Sequence, residues 1–372
     1  MKLSVIGCGY LGAVHAASMA ELGHDVTGID VDPERIASLS RGVAPFHEPG
    51  FNELLAANQQ KLSFSTDMSA ANGSRVHFLA VGTPQSSDGS VDMTYVNQAV
   101  SDLLPHLSPG DLVVGKSTVP VGTAERLLTM VEPTGAHLMW NPEFLREGFA
   151  VEDTLSPDRL VYGVTDDDAG VEDTAILDEV YAAILAKDTP RLVMNFATAE
   201  LVKVAANSFL ATKISFINAM AEIADVTGAN VTQLADAIGH DDRIGRRFLN
   251  AGIGFGGGCL PKDIRGFAAR ATELGVGEAL SFLRDVDDIN LRRRRRVQEI
   301  LSAELGDLTG KKIAVWGLAF KPDSDDIRDS PALDIVESLA RAGAHVTASD
   351  PEATGPATRR IQSAGLEDSV TL

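Results

Sequence analysis

The chain has 372 residues, 44% hydrophobic and 23% charged, the balance of a folded protein large enough for two or three domains. Its 32 basic and 52 acidic residues give a net charge of −20, a surface that repels phosphate backbones and argues against nucleic acid as a partner. Two cysteines, Cys8 and Cys259, make neither a disulfide framework nor a zinc-type pair, and no apolar run reaches the ~18 to 20 residues that span a bilayer, so a cytoplasmic protein without a metal site is expected.

Residues 2–7 read as a buried strand, followed by a helix over about 10–22 and a second strand ending at Asp30. Strand-like runs recur at 76–81, 111–116 and 159–164, with helical patterns between most of them. That alternation predicts a parallel, doubly wound sheet over residues 1–195. From Ala197 to Thr227 scarcely a Gly or Pro interrupts a helical pattern, and shorter helices are expected at 230–238, 261–274 and 279–305, making 196–305 an all-helical section. The run Arg292 to Arg296 spreads around the last of these helices and reads as a solvated or ion-paired face. At Lys311 the strand–helix–strand pattern returns and echoes the start, with Asp350 matching Asp30 at the close of the second strand. Residues 306–372 hold only two strands and two helices by this reading, half of a doubly wound domain.

Gly7-Cys8-Gly9-Tyr10-Leu11-Gly12 is a G-x-G-x-x-G that closes a predicted strand and opens a helix. Asp30 follows at close to the ~20-residue spacing of a dinucleotide fingerprint. Gly7 permits the tight turn, Gly9 lets the backbone approach a pyrophosphate, and Gly12 lets helix pack on strand. The helix N-terminus attracts the anion. Asp30 is placed to accept from the adenosine ribose, and a carboxylate there repels a 2′-phosphate, so NAD is expected rather than NADP. Arg35 is a candidate at the same ribose, equally readable as an exposed helix residue, and Cys8, at a variable loop position, is expected to be inert. Val81-Gly82-Thr83-Pro84 and the segment Lys116 to Gly122 each close a strand. Ligands of open α/β sheets bind beyond such strand ends, which makes both candidates for ribose and nicotinamide contacts.

The segment Gly254 to Asp263, G-F-G-G-G-C-L-P-K-D, is the most unusual in the chain. Its glycines let backbone amides converge on a ligand. Cys259 lies just before Pro261, a helix-start residue, and a helix N-terminus with Lys262 nearby favours the thiolate. This context favours a nucleophile over a packed core cysteine, with Asp263 one turn further on. Lys203 and Asn207 are four apart on an otherwise apolar helix, so they share a face and point to a site or an interface. Glu143 and Glu147 are also four apart, a spacing that ordinary helix solvation explains as readily as a site.

Seven ordered segments together resemble the UDP-glucose 6-dehydrogenase (UDP-glucose/GDP-mannose dehydrogenase) family. They are G-C-G-Y-L-G (7–12), V-G-T-P (81–84), K-S-T-V-P-V-G (116–122), N-P-E-F-L-R-E-G (141–148), K-V-A-A-N-S-F (203–209), F-G-G-G-C-L-P-K-D (255–263) and A-F-K-P-D-S-D-D-I-R-D-S-P (319–331). The resemblance implies an α/β fold with an N-terminal Rossmann domain, a helical central dimerisation domain and a partial C-terminal Rossmann-like domain that binds UDP. It implies removal of two hydrides, each taken by a separate NAD, with Cys259 holding a thiohemiacetal and then a thioester. Lys203, assisted by Asn207, would stabilise the oxyanion, and Thr118, Glu143 and Asp263 would position or activate water. NAD contacts would fall on Gly7, Gly9, Tyr10, Leu11, Gly12, Asp30, Arg35, Gly82, Thr83, Pro84, Thr118, Glu147, Lys262 and Arg328. UDP-glucose contacts would fall on Glu143, Phe144, Leu145, Arg146, Glu147, Lys203, Asn207, Phe248, Leu249, Asn250, Gly252, Gly254, Phe255, Gly256, Phe320 and Lys321. Arg243 would reach the neighbouring subunit's substrate in a homodimer.

Members of the family usually continue well past the position of Leu372, which fits the half-sized last section, and some carry a lysine where Asn250 stands. Relatives act on UDP-N-acetylmannosamine or GDP-mannose, but R-E-G-F-A-V-E-D-T-L-S-P-D-R (146–159) resembles the UDP-glucose branch. A two-electron dehydrogenase of the 3-hydroxyacid type shares the Lys–Asn helix pair but has no use for Cys259. An inactive binding homologue is the alternative if the chain is naturally short.

Overall fold

The computed structural model describes residues 1–372, which form two compact units, Met1–Val204 and Ala205–Leu372. The first is built on one sheet of eight strands: β1 (Lys2–Ile6), β2 (Asp25–Ile29), β3 (Leu62–Ser65), β4 (Val76–Leu79), β5 (Leu112–Gly115), β6 (His137–Trp140), β7 (Leu160–Val164) and β8 (Arg191–Asn195). Their order is β3-β2-β1-β4-β5-β6-β7-β8, parallel except that β7 runs antiparallel to β6. The near-continuous apolar runs have a simple cause, because both faces of the sheet are covered. Leu3, Val5, Val76, Phe78, Leu112 and Val114 face one core with the helices Tyr10–Glu21 and Asp168–Val180. Ile6, Leu79 and Val113, which alternate with them, face the other with Thr94–Leu103 and Thr123–Val131. Strands β3, β6 and β8 lie outside the predicted runs. β3 is four half-polar residues, and β8 is an edge strand that is mostly exposed.

The 32-residue helix Phe196–Thr227 runs on from the first unit. In the second unit come Val231–Gly239, Leu260–Glu273 and Phe282–Leu305, then β9 (Lys312–Trp316), β10 (His345–Ser349) and β11 (Val370–Thr371), with the helices Pro331–Arg341 and Thr354–Ser363. β11-β10-β9 form a parallel three-stranded sheet, one short strand more than expected. Ile313, Val315, Val346 and Ala348 face its core, whereas His345, Thr347, Ser349 and Trp316 are exposed on the opposite face. The echo between the chain's ends has a physical basis. Asp30 accepts from Cys8 N at 2.7 Å, and Asp350 accepts from Leu318 N at 2.7 Å, each carboxylate pinning the turn after the neighbouring strand. No helix is long and apolar enough to cross a membrane.

Candidate active site

The sheet order reverses between β1 and β4, which places the loops after those strands on either side of a switch point. After β1, Gly7 adopts φ +90°, and its amide donates to Ile29 O at 2.7 Å. A Cβ on Gly12 would lie 1.7 Å from the Gly7 carbonyl oxygen, so only glycine lets the helix Tyr10–Glu21 start there. That helix has no side-chain cap at Gly9, and a Cβ at Gly9 would meet nothing within 4 Å. The result is an open helix N-terminus whose amides can take an anion. Asp30 is 8% exposed, and both its oxygens are 3.0 Å from Arg35 Nη1. Cys8 is fully buried, and burial pushes its thiol well above the usual range, so it is inert. Tyr10 bonds Glu48, whose carboxylate also accepts from Gly148 N and Ala150 N at 2.7 Å. This ties the glycine loop to the segment carrying Glu147.

Beyond β5 and β6 lies a group of buried charges. Lys203, 4% exposed, places Nζ 3.0 Å from Glu143 Oε1 and 5.5 Å from the Phe144 ring. Glu143 also accepts from Leu145 N at 2.5 Å, and the Arg159 guanidinium lies 3.8 Å over Phe144. Residues 141–148 are an irregular loop, not the helix that the spacing of Glu143 and Glu147 allows. Pro142 and the local carboxylate-to-amide bond of Glu143 compete with a helix there. Lys116 donates to Asn141 Oδ1 at 2.9 Å and to Tyr181 Oη at 3.3 Å, and burial pushes its pKa down to about 8, helped by nearby Lys203. It lines a cavity of about 50 Å³ with His15, Asn141, Glu143, Phe144 and Tyr181. Glu200, one turn before Lys203, accepts from Gly122 N and Ala124 N at 2.7 Å and so holds the loop that carries half-buried Thr118. Lys116 lies in the segment 116–122 expected near ribose and nicotinamide, whereas Glu200 was not singled out, although an acidic residue in the apolar first half of the helix is the kind of signal that could have found it.

In the second unit Cys259 is exposed and forms the N-cap of the helix Leu260–Glu273. Asp263 N donates to Cys259 O at 2.9 Å, which sets the carboxylate one turn below the cysteine. Asp263 is 3% exposed, accepts from Asn207 Nδ2 at 2.6 Å and lies 2.8 Å from Lys262 Nζ. Lys262 is thus turned toward Asp263. Gly252 N donates to Asn218 Oδ1 and Asn250 Oδ1 accepts from Arg246, both at 2.8 Å, while Leu249 is buried and Phe248 adopts φ +67°. Phe320 is half-buried with Lys321 Nζ 5.5 Å from its ring, whereas Arg328 and Arg243 are exposed and bonded to Asp326 and Asp241.

Residues 1–185 match the NAD binding domain of the UDP-glucose/GDP-mannose dehydrogenase family, residues 197–292 its central domain and residues 314–371 its UDP binding domain. The chain belongs to this family. It is 42% identical over 358 residues to the Bacillus subtilis UDP-glucose 6-dehydrogenase TuaD, covering 94% of this chain and 76% of that protein. The structure of a UDP-glucose dehydrogenase from Pyrobaculum islandicum superposes with a TM-score of 0.92 at 39% identity, covering 100% of this chain and 85% of the other. A UDP-D-ManNAc dehydrogenase from Pyrococcus horikoshii gives 0.82 at 28%, covering 94% and 83%.

A dehydrogenase of this family is an NAD-dependent oxidoreductase, and the glycine loop fits that cofactor: the uncapped helix start suits its pyrophosphate and Asp30 suits its ribose. Arg35, read from sequence as either a ribose ligand or an exposed helix residue, is paired with Asp30. Arg146, expected at the substrate, is exposed and forms a two-point pair with Asp153, at 2.9 and 2.6 Å.

Proposed function

We propose that the chain catalyses the four-electron oxidation of UDP-glucose to UDP-glucuronate, with Cys259 as covalent catalyst. The observation that carries this reading is the contrast between the two cysteines: Cys8 is sealed in the core, while Cys259 is exposed at a helix start above a buried Asp263–Asn207 pair. A two-electron alcohol dehydrogenase has no need of such a thiol. Bound NAD supplies the hydride acceptor, two per substrate. Cys259 Sγ adds to the aldehyde carbon, giving a thiohemiacetal, and after the second oxidation it holds the acid as a thioester until water releases it. This covalent link keeps the aldehyde from escaping. The Lys203 ammonium stabilises the negative oxygen as it develops, with the Asn207 amide assisting. Thr118 positions the water, and a carboxylate, Asp263 or Glu143, activates it and takes its proton.

UDP-glucose is favoured because the relatives named for it are 42% and 39% identical, against 28% for the one named for UDP-D-ManNAc. We assign NAD binding to residues 1–195, dimerisation and sugar contact to 196–305, and UDP contact, through Phe320 and Lys321, to 306–372. A homodimer is supported by Phe209, Phe216 and Ile223, which recur every seven residues on one helix and are 66%, 48% and 53% exposed. The exposed Arg243 is suited to reach a partner's substrate. The test is the NADH yield per UDP-glucose at completion. Two are expected for the wild type and fewer than two for Cys259→Ser, whereas one for both proteins demotes Cys259 to a structural residue.

A further inference from the structure

The glycine-rich loop before Cys259 is irregular, and its backbone polar groups need partners. Phe255 is its one anchoring side chain, 7% exposed against Ala211, Ile264, Leu283 and Val286. Both backbone groups of Phe255 are taken by the fully buried amide of Asn290, on the helix Phe282–Leu305. Phe255 N donates to Asn290 Oδ1 at 2.6 Å, and Asn290 Nδ2 donates to Phe255 O at 3.0 Å. The Asn290 side chain therefore acts as a one-residue strand partner. One turn on, Arg294, 5% exposed, donates from Nη2 to the same carbonyl at 2.7 Å. Its Nη1 donates to Asp329 Oδ1 at 2.6 Å and also bonds Asp334. Asp329 in turn lies 3.3 Å from Arg265, on the helix that Cys259 caps.

The glycines belong to this packing. Gly254 sits at φ +104°, where a Cβ would come 2.6 Å from Asn290 Oδ1, and a Cβ on Gly256 would come 2.2 Å from Asp329 O. Gly257 N donates to Arg328 O at 2.8 Å. Packing against Asn290 and Asp329 therefore by itself requires glycine at 254 and 256. Arg294 is ion-paired, as one reading of the arginine run allowed, but it is buried rather than at the surface. Arg292 and Arg296 keep to that expectation, pairing with Glu222 and Asp225.

We propose that Asn290 and Arg294 are positioning residues for the reaction: by clamping Phe255 they fix the loop that presents Cys259. A buried guanidinium is a costly way to hold two helices together, since an apolar side chain of the same volume often does so as well. As a strut with three fixed partners, Arg294 instead defines where the loop backbone lies. The proposal rests on Cys259 being the nucleophile, and a misplacement of about 1 Å at a reacting atom costs about 100-fold in rate.

The test uses the full chain with Arg294→Lys, which keeps the charge but loses the fork, together with Asn290→Ala and the double variant. Cys259 is titrated by its rate of alkylation with iodoacetamide across pH, a readout independent of turnover and blind to buried Cys8. Steady-state NADH production, NAD affinity and melting temperature are measured alongside. In folded Arg294→Lys we expect kcat lowered about 10- to 100-fold, NAD affinity within about threefold, and an altered alkylation profile. The double variant should fall little below the worse single one, because both residues act on the same carbonyl. Unchanged alkylation and kcat in Arg294→Lys overturn the proposal even if Asn290→Ala does not fold, as does a multiplicative double variant. Full turnover by Cys259→Ser sinks the nucleophile reading instead, so the two failures are told apart.

Discussion

Replacing Lys203 by methionine removes a cation whose Nζ lies 3.0 Å from Glu143 Oε1, with the two side chains 5% and 13% exposed. At an effective dielectric of about 20 their attraction is roughly 5 kcal/mol, set against a desolvation cost of several kcal/mol for each ion. The pair as a whole is therefore close to neutral for stability. Removing one partner is different, because it strands a largely buried carboxylate, which costs about 3 kcal/mol or more. For a unit of this size that corresponds to a melting temperature lowered by about 6 to 12 °C. Glu143→Gln in the same chain removes the stranded charge and should recover most of the loss. Catalysis behaves otherwise. If the ammonium stabilises the oxyanion, kcat falls about 100- to 1,000-fold in Lys203→Met and stays low in the double variant. Calorimetry and NADH absorbance on the three proteins read the two effects separately. A double variant no more stable than Lys203→Met refutes the pairing argument, and a kcat within threefold of wild type in Lys203→Met refutes the oxyanion role.

Asp30→Ser should weaken NAD binding about tenfold and narrow the preference against NADP, since Arg35 loses its carboxylate partner and can meet a 2′-phosphate; titration with both cofactors checks this, and an unchanged ratio counts against it. Burial lowers Lys116 from 10.5 to about 8, so the folded state carries the cost of a buried cation in full below about 8. As pH rises from 8 to 10.5 that cost fades, and wild type should gain about 3 kcal/mol relative to Lys116→Met, which cannot titrate. Denaturation midpoints at both ends of the window decide it; a constant gap would falsify the assignment. Phe216→Glu, on the exposed apolar stripe, should yield monomers in light scattering and low activity if Arg243 serves the partner's site, whereas an intact dimer removes that stripe from the interface.

The sequence by itself determined the parts whose cause is local. The buried strands announce themselves because both faces of their sheet are covered, as at Val76 to Leu79 and Leu112 to Gly115. The G-x-G-x-x-G is legible because turn, close approach and helix start fall within six residues, and Cys259 because Pro261 marks the helix it begins. Lys203 and Asn207 are legible as polar residues on an apolar helix, and both are buried. Only the tertiary structure decided what those groups touch. Asp263 meets Asn207 from 56 residues away, Glu143 meets Lys203 from a loop whose spacing allowed a helix, and Lys262 turns to Asp263. In the arginine run, Arg294 is drawn inward while Arg292 and Arg296 pair near the surface, and no pattern in five identical residues can select it. Periodicity reports which face of an element is buried. The partner of a buried charge is set by packing between elements far apart in the chain, and that exists only once the chain has folded.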